Sequence, residues 1–396
     1  MKIKIPPVLG GTLIIIGTSI GAGMLGLPVV TGEGGFVPAI FIYVASWLFM
    51  MSTGLLLLEI SLRMPKDSNI ISMSDKYLGK LGKGFSWALY LFLFYSLSVA
   101  YISGGGDLIR DVMPISRAGS YLLFLMILSP FVYFGAKTVD GINRFLMVGL
   151  IASFLLFVIF GMPSIELSYL EHTNWPKALG ALPVIFASFA YQGVIPSLTY
   201  YLKKDAKKLR YTIVLGTSLT FIIYMIWEFL ILGTVPSHGP NSLKEAANLG
   251  FSAIQPLQYH SGVKTVVVLG RFFGFFTITT SFLGVSLGVF DFLSDGLKIA
   301  KKGYQKIGLA FLTFLPPLII ALLFPGIFLI ALHYSGGVGC AILLGLFPIM
   351  MVFSARYIKK EEIPKAVQIK GGKPFLVLLA LFIVFELLVE GFKGYL

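Results

Sequence analysis

Leu13-Ile14-Ile15-Ile16-Gly17-Thr18-Ser19-Ile20-Gly21-Ala22-Gly23-Met24-Leu25-Gly26-Leu27-Pro28 is an apolar stretch interrupted at its middle by small and polar residues. The block around it, at about 8–31, has the length that crosses a hydrocarbon core as helix, roughly 20 residues. Glycine weakens a helix by about 1 kcal/mol relative to alanine, and Gly17, Gly21 and Gly23 fall close together. The segment is expected to unwind where it lies deepest. Gly17 and Gly21 also have the spacing of a helix-packing GxxxG face, so this break alone leaves close packing as an alternative.

A second break changes the balance. Ser188-Phe189-Ala190-Tyr191-Gln192-Gly193 precedes Val194-Ile195-Pro196-Ser197, where Pro196 removes a helical hydrogen bond. Unwound backbone is tolerated in a bilayer only where it lines a cavity or is buried in protein. Interrupted segments at corresponding places in two halves point to a transporter site near the midplane. Further apolar blocks lie at about 36–62, 84–105, 118–136, 144–163, 178–202, 211–236, 263–294, 306–324, 326–354 and 374–394. With the first, these make eleven, and the two breaks are five blocks apart. The expected fold class is an all-α membrane protein of eleven transmembrane helices. Helices 1–5 (1–163) and 6–10 (178–354) form a 5+5 inverted repeat with helices 1 and 6 broken, and helix 11 (374–394) lies outside it.

Composition agrees. Hydrophobic residues make up 57% of the 396 positions and charged ones 12%, about half the usual share for a soluble domain. Soluble enzymes and nucleic-acid binders are excluded on that ground; the net charge of +13 sits in short loops and reads as topology. One cysteine, Cys340, rules out an intramolecular disulfide and a multi-cysteine metal site. Basic residues fall on alternate loops: Lys2 and Lys4; Arg63, Lys66, Lys76, Lys80 and Lys83; Lys137 and Arg144; Lys203, Lys204, Lys207, Lys208 and Arg210; Lys298, Lys301, Lys302 and Lys306; Arg356, Lys359, Lys360, Lys365, Lys370 and Lys373. The other side keeps Arg110, Arg117, Lys177, Lys244, Lys264 and Lys393, a bias of about fourfold. This puts the N-terminus in the cytoplasm and, with an odd span count, the C-terminus outside.

The breaks imply a chemistry. One half-helix ends in free carbonyls and the other begins with free amides, so the pair attracts an ammonium and a carboxylate. A zwitterionic amino acid matches both without charged side chains, and neither break contains one.

Gly17–Pro28 resembles the first-helix signature of the hydroxy and aromatic amino acid permease family, within the amino acid–polyamine–organocation superfamily. The resemblance continues through LLLLE ending at Glu59, AYISGGG at 100–106, NRFL at 143–146, PVIFASFAYQGVIPS at 183–197, KLRY at 208–211, TTSFLGVSLGVFDF at 279–292, TFLPPL at 313–318 and KGGKP at 370–374. It covers nearly the whole chain and is closest to tyrosine-specific permeases of Gram-negative bacteria. It implies an inner-membrane importer of aromatic amino acids driven by protons. On this likeness Thr18, Ser19, Ile20, Gly21, Ala22 and Gly23 cradle the substrate backbone, and Ser188, Phe189, Tyr191 and Gln192 cover its aromatic side chain. The third helix offers Tyr95, Ser96, Ser98 and Tyr101, with Tyr95 and Ser98 favoured, and the eighth offers Thr277 and Ser281 at i,i+4.

In sodium-coupled relatives of the superfamily, hydroxyls of this helix join first-helix carbonyls around the ion, which here gives Gly17, Ile20, Thr280 and Ser281. The lysine that many proton-coupled relatives carry in helix 5 is missing between Phe145 and Met162. A proton is the favoured coupling ion and sodium the alternative, with Glu59, Asp291 and His333 as candidate proton carriers. Arg271 either pairs with Glu228 or reaches outward to the interface. No cofactor, metal or obligate protein partner is expected besides the lipid bilayer. No HExxH, GxSxG or paired-aspartate pattern argues for an enzyme. A sodium-coupled or broader neutral amino acid carrier, and a receptor of the same fold that does not transport, remain open.

Overall fold

The computed structural model describes residues 6–65, 68–361 and 368–392, and every regular element among them is helical. Lys2, Lys4, Lys66, Lys365 and Lys393 lie outside the described residues, as do the last two positions of the eleventh block. Among the described residues ten helices are long and apolar enough to cross a membrane, and a bent pair, Pro7–Ser19 and Ala22–Thr31, makes the first of eleven spans. The others are Phe36–Ser61, Ile70–Arg110, Arg117–Phe134, Ala136–Ser164, Trp175–Tyr201, Ala206–Thr234, Lys264–Leu297, Gly303–Leu323, Phe328–Ile358 and Gly372–Gly391. This is a multi-pass membrane protein.

The sixth and tenth spans are the most enclosed, with 67% and 72% of their apolar windows buried. The fifth, ninth and eleventh bury only 28% and carry exposed Val148, Ile159, Phe311, Leu323 and Leu378. Those three therefore face lipid, and the sixth and tenth form the interior.

Local sequence explains the irregularities. The third span starts as a short surface helix with a reciprocal cap, in which Asn69 Oδ1 accepts from the Ser72 amide and Ser72 Oγ accepts from the Asn69 amide. Gly79, at φ 74°, turns that helix into the long membrane segment. In the tenth span Ser335–Leu346 widens into π-helical turns. Gly336 lies there against the backbone carbonyl of Pro183, which leaves no room for a side chain. Between the seventh and eighth spans, short helices Leu243–Leu249 and Ile254–His260 cap the bundle, and the Ala253 amide donates to Leu25 O at 2.9 Å.

The described loop residues 62–65, 68–69, 202–205, 298–302, 359–361 and 368–371 lie at one end of the bundle, called here the basic end. A buried ion cluster sits there. Arg356 of the tenth span grips both carboxylate oxygens of Glu59 on the second, with Nε to Oε1 at 2.9 Å. Arg63 adds a contact at 3.3 Å and reaches Glu361 at 3.5 Å, which also accepts from Tyr77 at 2.8 Å. Glu59 is thus held by two arginines where the second span meets the tenth. Removing one partner of a buried ion pair typically costs about 3–5 kcal/mol. Arg356→Ala is expected to lose about that much, seen as a lower thermal unfolding midpoint in detergent. An unchanged midpoint would mean that Arg63 alone satisfies Glu59.

Candidate substrate site

The first span leaves helical geometry at Ile20 (ψ 102°) and Gly21 (φ −149°, ψ −164°), then resumes at Ala22 bent by 56°. The sixth is helical over Leu182–Ser188, irregular through Phe189–Tyr191, tightly turned at Gln192–Val194, and helical again from Ile195. Pro196 sits in the first turn of that last piece, where no intrahelical partner awaits its missing amide proton. It starts a half-helix rather than breaking one.

Side chains engage part of the backbone that these breaks expose. The hydroxyl of Tyr224, on the seventh span, stands 2.6 Å from both Ser19 O and Ser188 O, the carbonyl ends of the two half-helices. Ser281 Oγ donates to Ile20 O at 3.4 Å. Gln192 Oε1 accepts from the Tyr191 amide at 3.0 Å, and its Nε2 donates to Met50 O and Thr53 Oγ1, both at 3.2 Å. Close approach requires glycine at two positions. A Cβ on Gly21 would lie 2.9 Å from Ser281 Oγ and 3.6 Å from Tyr101 Oη, and one on Gly23 would collide with Ser188.

Between the breaks lies a cavity of about 140 Å³. One part is walled by Thr18, Ser19, Gly21, Gly23 and Ser188, and another by the rings of Tyr90, Phe94, Tyr101 and Tyr191. Tyr90, Phe94, Leu97 and Tyr101 share one face of the third span, which rises from the basic end. Val285, on the eighth span past Ser281, lies on the same side, so the cavity extends from the breaks toward the basic end.

The expected residues divide clearly. Thr18, Ser19, Gly21, Gly23, Ser188 and Tyr191 line the cavity. Ile20 and Ala22 sit at the break itself without lining it. Phe189 packs edge-on against Tyr43 and Tyr224 at 6.3 and 5.1 Å between centroids, and Gln192 is turned to the second span. Tyr95 donates to Leu312 O on the ninth span at 2.6 Å and Ser98 to Phe94 O at 2.8 Å; neither lines the cavity. Their helix face is rotated away from the one that Tyr101 shares. Thr277 is buried on the eighth span, its hydroxyl unpartnered among the described residues.

Of the four possible cation ligands, Ile20 and Ser281 meet, whereas Thr280 bonds back to Phe276 O at 2.8 Å. A Cβ on Gly17 would meet Met147 Cε at 3.4 Å. Asp291 pairs with Lys301 at 2.8 Å near the basic end. His333 stands 3.8 Å from Glu390, on the eleventh span. Arg271 donates to Gln258 at 2.8 Å rather than reaching Glu228, which is buried elsewhere.

Tyr90, Phe94 and Leu97 are lining residues that the sequence reading passed over, and their i,i+4,i+7,i+11 spacing with Tyr101 was the available signal. Leu332 and Leu344 come from the tenth span, and nothing in their local sequence marks them. At the opposite end a second cavity of about 340 Å³ is bordered by Arg110, Asp111, Glu245 and Tyr259. Burial there raises the Asp111 carboxyl above the usual carboxylate range, against the lowering pull of Arg271 and Arg110.

A family model described as the tryptophan/tyrosine permease family matches residues 4–390. The chain belongs to this family. It is 34% identical to the tyrosine-specific transport system 1 of Haemophilus influenzae, over 88% of each chain. It is 30% identical to the tryptophan-specific transport protein of the same organism, over 98% of this chain and 96% of the relative. These relatives are transport proteins and not enzymes. Among solved structures, MhsT in complex with L-phenylalanine shares the fold at a TM-score of 0.66 and 14% identity, covering 96% of this chain and 98% of that one.

Two substitutions test the site. Gly21→Val should abolish binding of an aromatic amino acid while the permease still inserts and remains monodisperse; wild-type binding would remove the break from the site. Tyr191→Ala should weaken the same ligand by about 2–10-fold, the worth of an aromatic contact of about 0.5–1.5 kcal/mol. An unchanged affinity would remove Tyr191 from the pocket.

Proposed function

We propose that this permease imports aromatic amino acids, tyrosine foremost, by proton symport with alternating access. The observation that carries the reading is the pair of interrupted spans facing one cavity, with carbonyl and amide ends for a zwitterion and four aromatic rings beside them. The carboxylate would sit at the amides after Gly21, the ammonium near the carbonyls of the preceding half-helix, and the ring among Tyr90, Phe94, Tyr101 and Tyr191. Tyrosine is preferred because the tyrosine-specific relative has the higher identity of the two compared.

In this reading residues 1–163 and 178–354 are two inverted halves that rock about the breaks, with helix 11 outside them. The basic end faces the cytoplasm of a bacterial cell and the chain lies in the inner membrane. The cavity, extending toward that end, then belongs to a state directed inward. Family resemblance supports the proton; the contact between Ser281 and Ile20 keeps sodium as the specific alternative.

Labelled tyrosine uptake into proteoliposomes under an imposed proton gradient, without sodium, decides between these readings. The expected outcome is accumulation that collapses with a protonophore and is blocked best by unlabelled tyrosine, less by tryptophan or phenylalanine, and not by serine. Uptake only with sodium would transfer the coupling role to Ile20, Thr280 and Ser281. Binding without accumulation under either gradient would make the protein a receptor.

A further inference from the structure

Glu228, on the seventh span, is wholly buried, as are the two side chains that hold it, Thr31 of the first span and Tyr43 of the second. Tyr43 donates its hydroxyl to Oε2 at 2.9 Å, and Thr31 Oγ1 makes a close hydrogen bond with Oε1. No cation pairs with this carboxyl among the described residues. Glu59 and Asp291, by contrast, are matched, the first by two arginines and the second by a lysine.

The hydrogen-bond inventory bears on the state of the group. Thr31 has one hydroxyl proton and touches two acceptors, Glu228 Oε1 and Leu27 O, the latter at 2.8 Å. If the carboxyl is ionised, one of these contacts holds two oxygens together with no hydrogen between them. If Glu228 carries the proton, Thr31 donates to Leu27 O, Glu228 donates to Thr31 Oγ1, and Tyr43 donates to Oε2. Every contact is then a hydrogen bond.

The position matters as much as the state. Thr31 ends the half-helix that begins at the first break, so the carboxyl is tied to the second piece of the first span. One turn before Glu228, Tyr224 touches the carbonyls of both breaks, and Phe189 lies edge-on between the rings of Tyr43 and Tyr224. Loss of the proton would turn the Thr31 hydroxyl from Leu27 O to the carboxylate and leave an unmatched charge between three spans. We infer that Glu228 is protonated in this conformation and is the group that binds and releases the coupled proton. The inference rests on the transport reading above. The proton is taken up from one aqueous face and delivered to the other, and only an O–H bond is made and broken.

Other titratable groups on the elements packed around the seventh span have different engagements or positions. Tyr43 faces Glu228 directly, whereas Tyr224, one turn earlier on the same span, has its hydroxyl on the carbonyls of the two breaks. Glu33, just beyond Thr31, pairs with Lys244 at 3.0 Å and lies 4.0 Å from His238. Asp140 and Arg144 of the fifth span pair with each other at 2.7 Å. His260 contacts Asn241 O at 3.0 Å, and Tyr169 lies in the turn at 167–170.

The test uses the full-length permease in proteoliposomes, with tyrosine exchange measured at equal pH and tyrosine accumulation measured under a pH gradient. Glu228→Gln is expected to retain exchange, lose accumulation above the outside concentration, and lose the tyrosine-driven uptake of protons reported by a pH dye. Accumulation equal to wild type in Glu228→Gln overturns the inference. So does its loss in Glu386→Gln alone, since Glu386 is another buried carboxyl without a hydrogen-bond partner among the described residues. If Glu228→Gln loses exchange as well, Tyr43→Phe decides, because it keeps the carboxyl and removes one donor. A pH profile of exchange displaced from wild type supports the assignment, and a superimposable one overturns it. Wild-type protein that exchanges no aromatic amino acid overturns the transport reading and this inference with it. Intact wild-type accumulation beside an unaffected Glu228→Gln overturns the inference alone.

Discussion

A backbone carbonyl inside a bilayer has no water to turn to, and an interrupted helix creates several at once. The rest of the architecture follows from how that is managed. Two half-helices end facing each other, and one phenol from the seventh span approaches the carbonyl of each at the same distance. A hydroxyl carries one proton, so it cannot satisfy both carbonyls fully. Polar capacity remains beside the cavity, where a ligand with an ammonium group can use it. The same constraint explains the glycines: the backbone at the first break must approach Ser281 and Ser188 too closely for a side chain.

Charge inside the bundle is handled in two ways. At the basic end Glu59 is met by Arg63, just past the end of its own helix, and by Arg356 of the tenth span, which ties the second span to the tenth. Deeper in the bundle, Glu228 is held by hydroxyls alone. An arginine pair suits a charge that stays; hydroxyls suit a group that can exist with or without its proton, because a hydroxyl accepts as readily as it donates.

Much of the fold was legible because its signals are local. Span length, the run Gly17–Gly23, the Ser188–Pro196 segment and the alternation of basic loops each occupy a short window. That Thr18, Ser19, Gly21 and Gly23 line the cavity was legible for the same reason, since they lie in or beside the first break. The aromatic wall was not. Tyr95 and Tyr101 are equally plausible on composition, and only the rotation of the third span separates the one at the cavity from the one bonded to Leu312. Leu332 precedes and Leu344 lies within a π-helical stretch of the tenth span, so the register that brings both to the cavity departs from 3.6 residues per turn. Glu228 was visible as a charge in a span, but its partners lie on two other spans and no spacing rule connects them.

The eighth span runs for 34 residues without interruption, roughly 50 Å of helix at 1.5 Å per residue, against a hydrocarbon core of about 30 Å. The third span beyond Gly79 is similarly overlong. Such helices fit a bilayer by leaning away from its normal or by projecting into the headgroup layer, and their lean follows membrane thickness. Both of them wall the cavity between the two breaks. Lipid chain length therefore acts on two helices that wall the cavity, and the bilayer itself becomes a determinant of the cavity's shape.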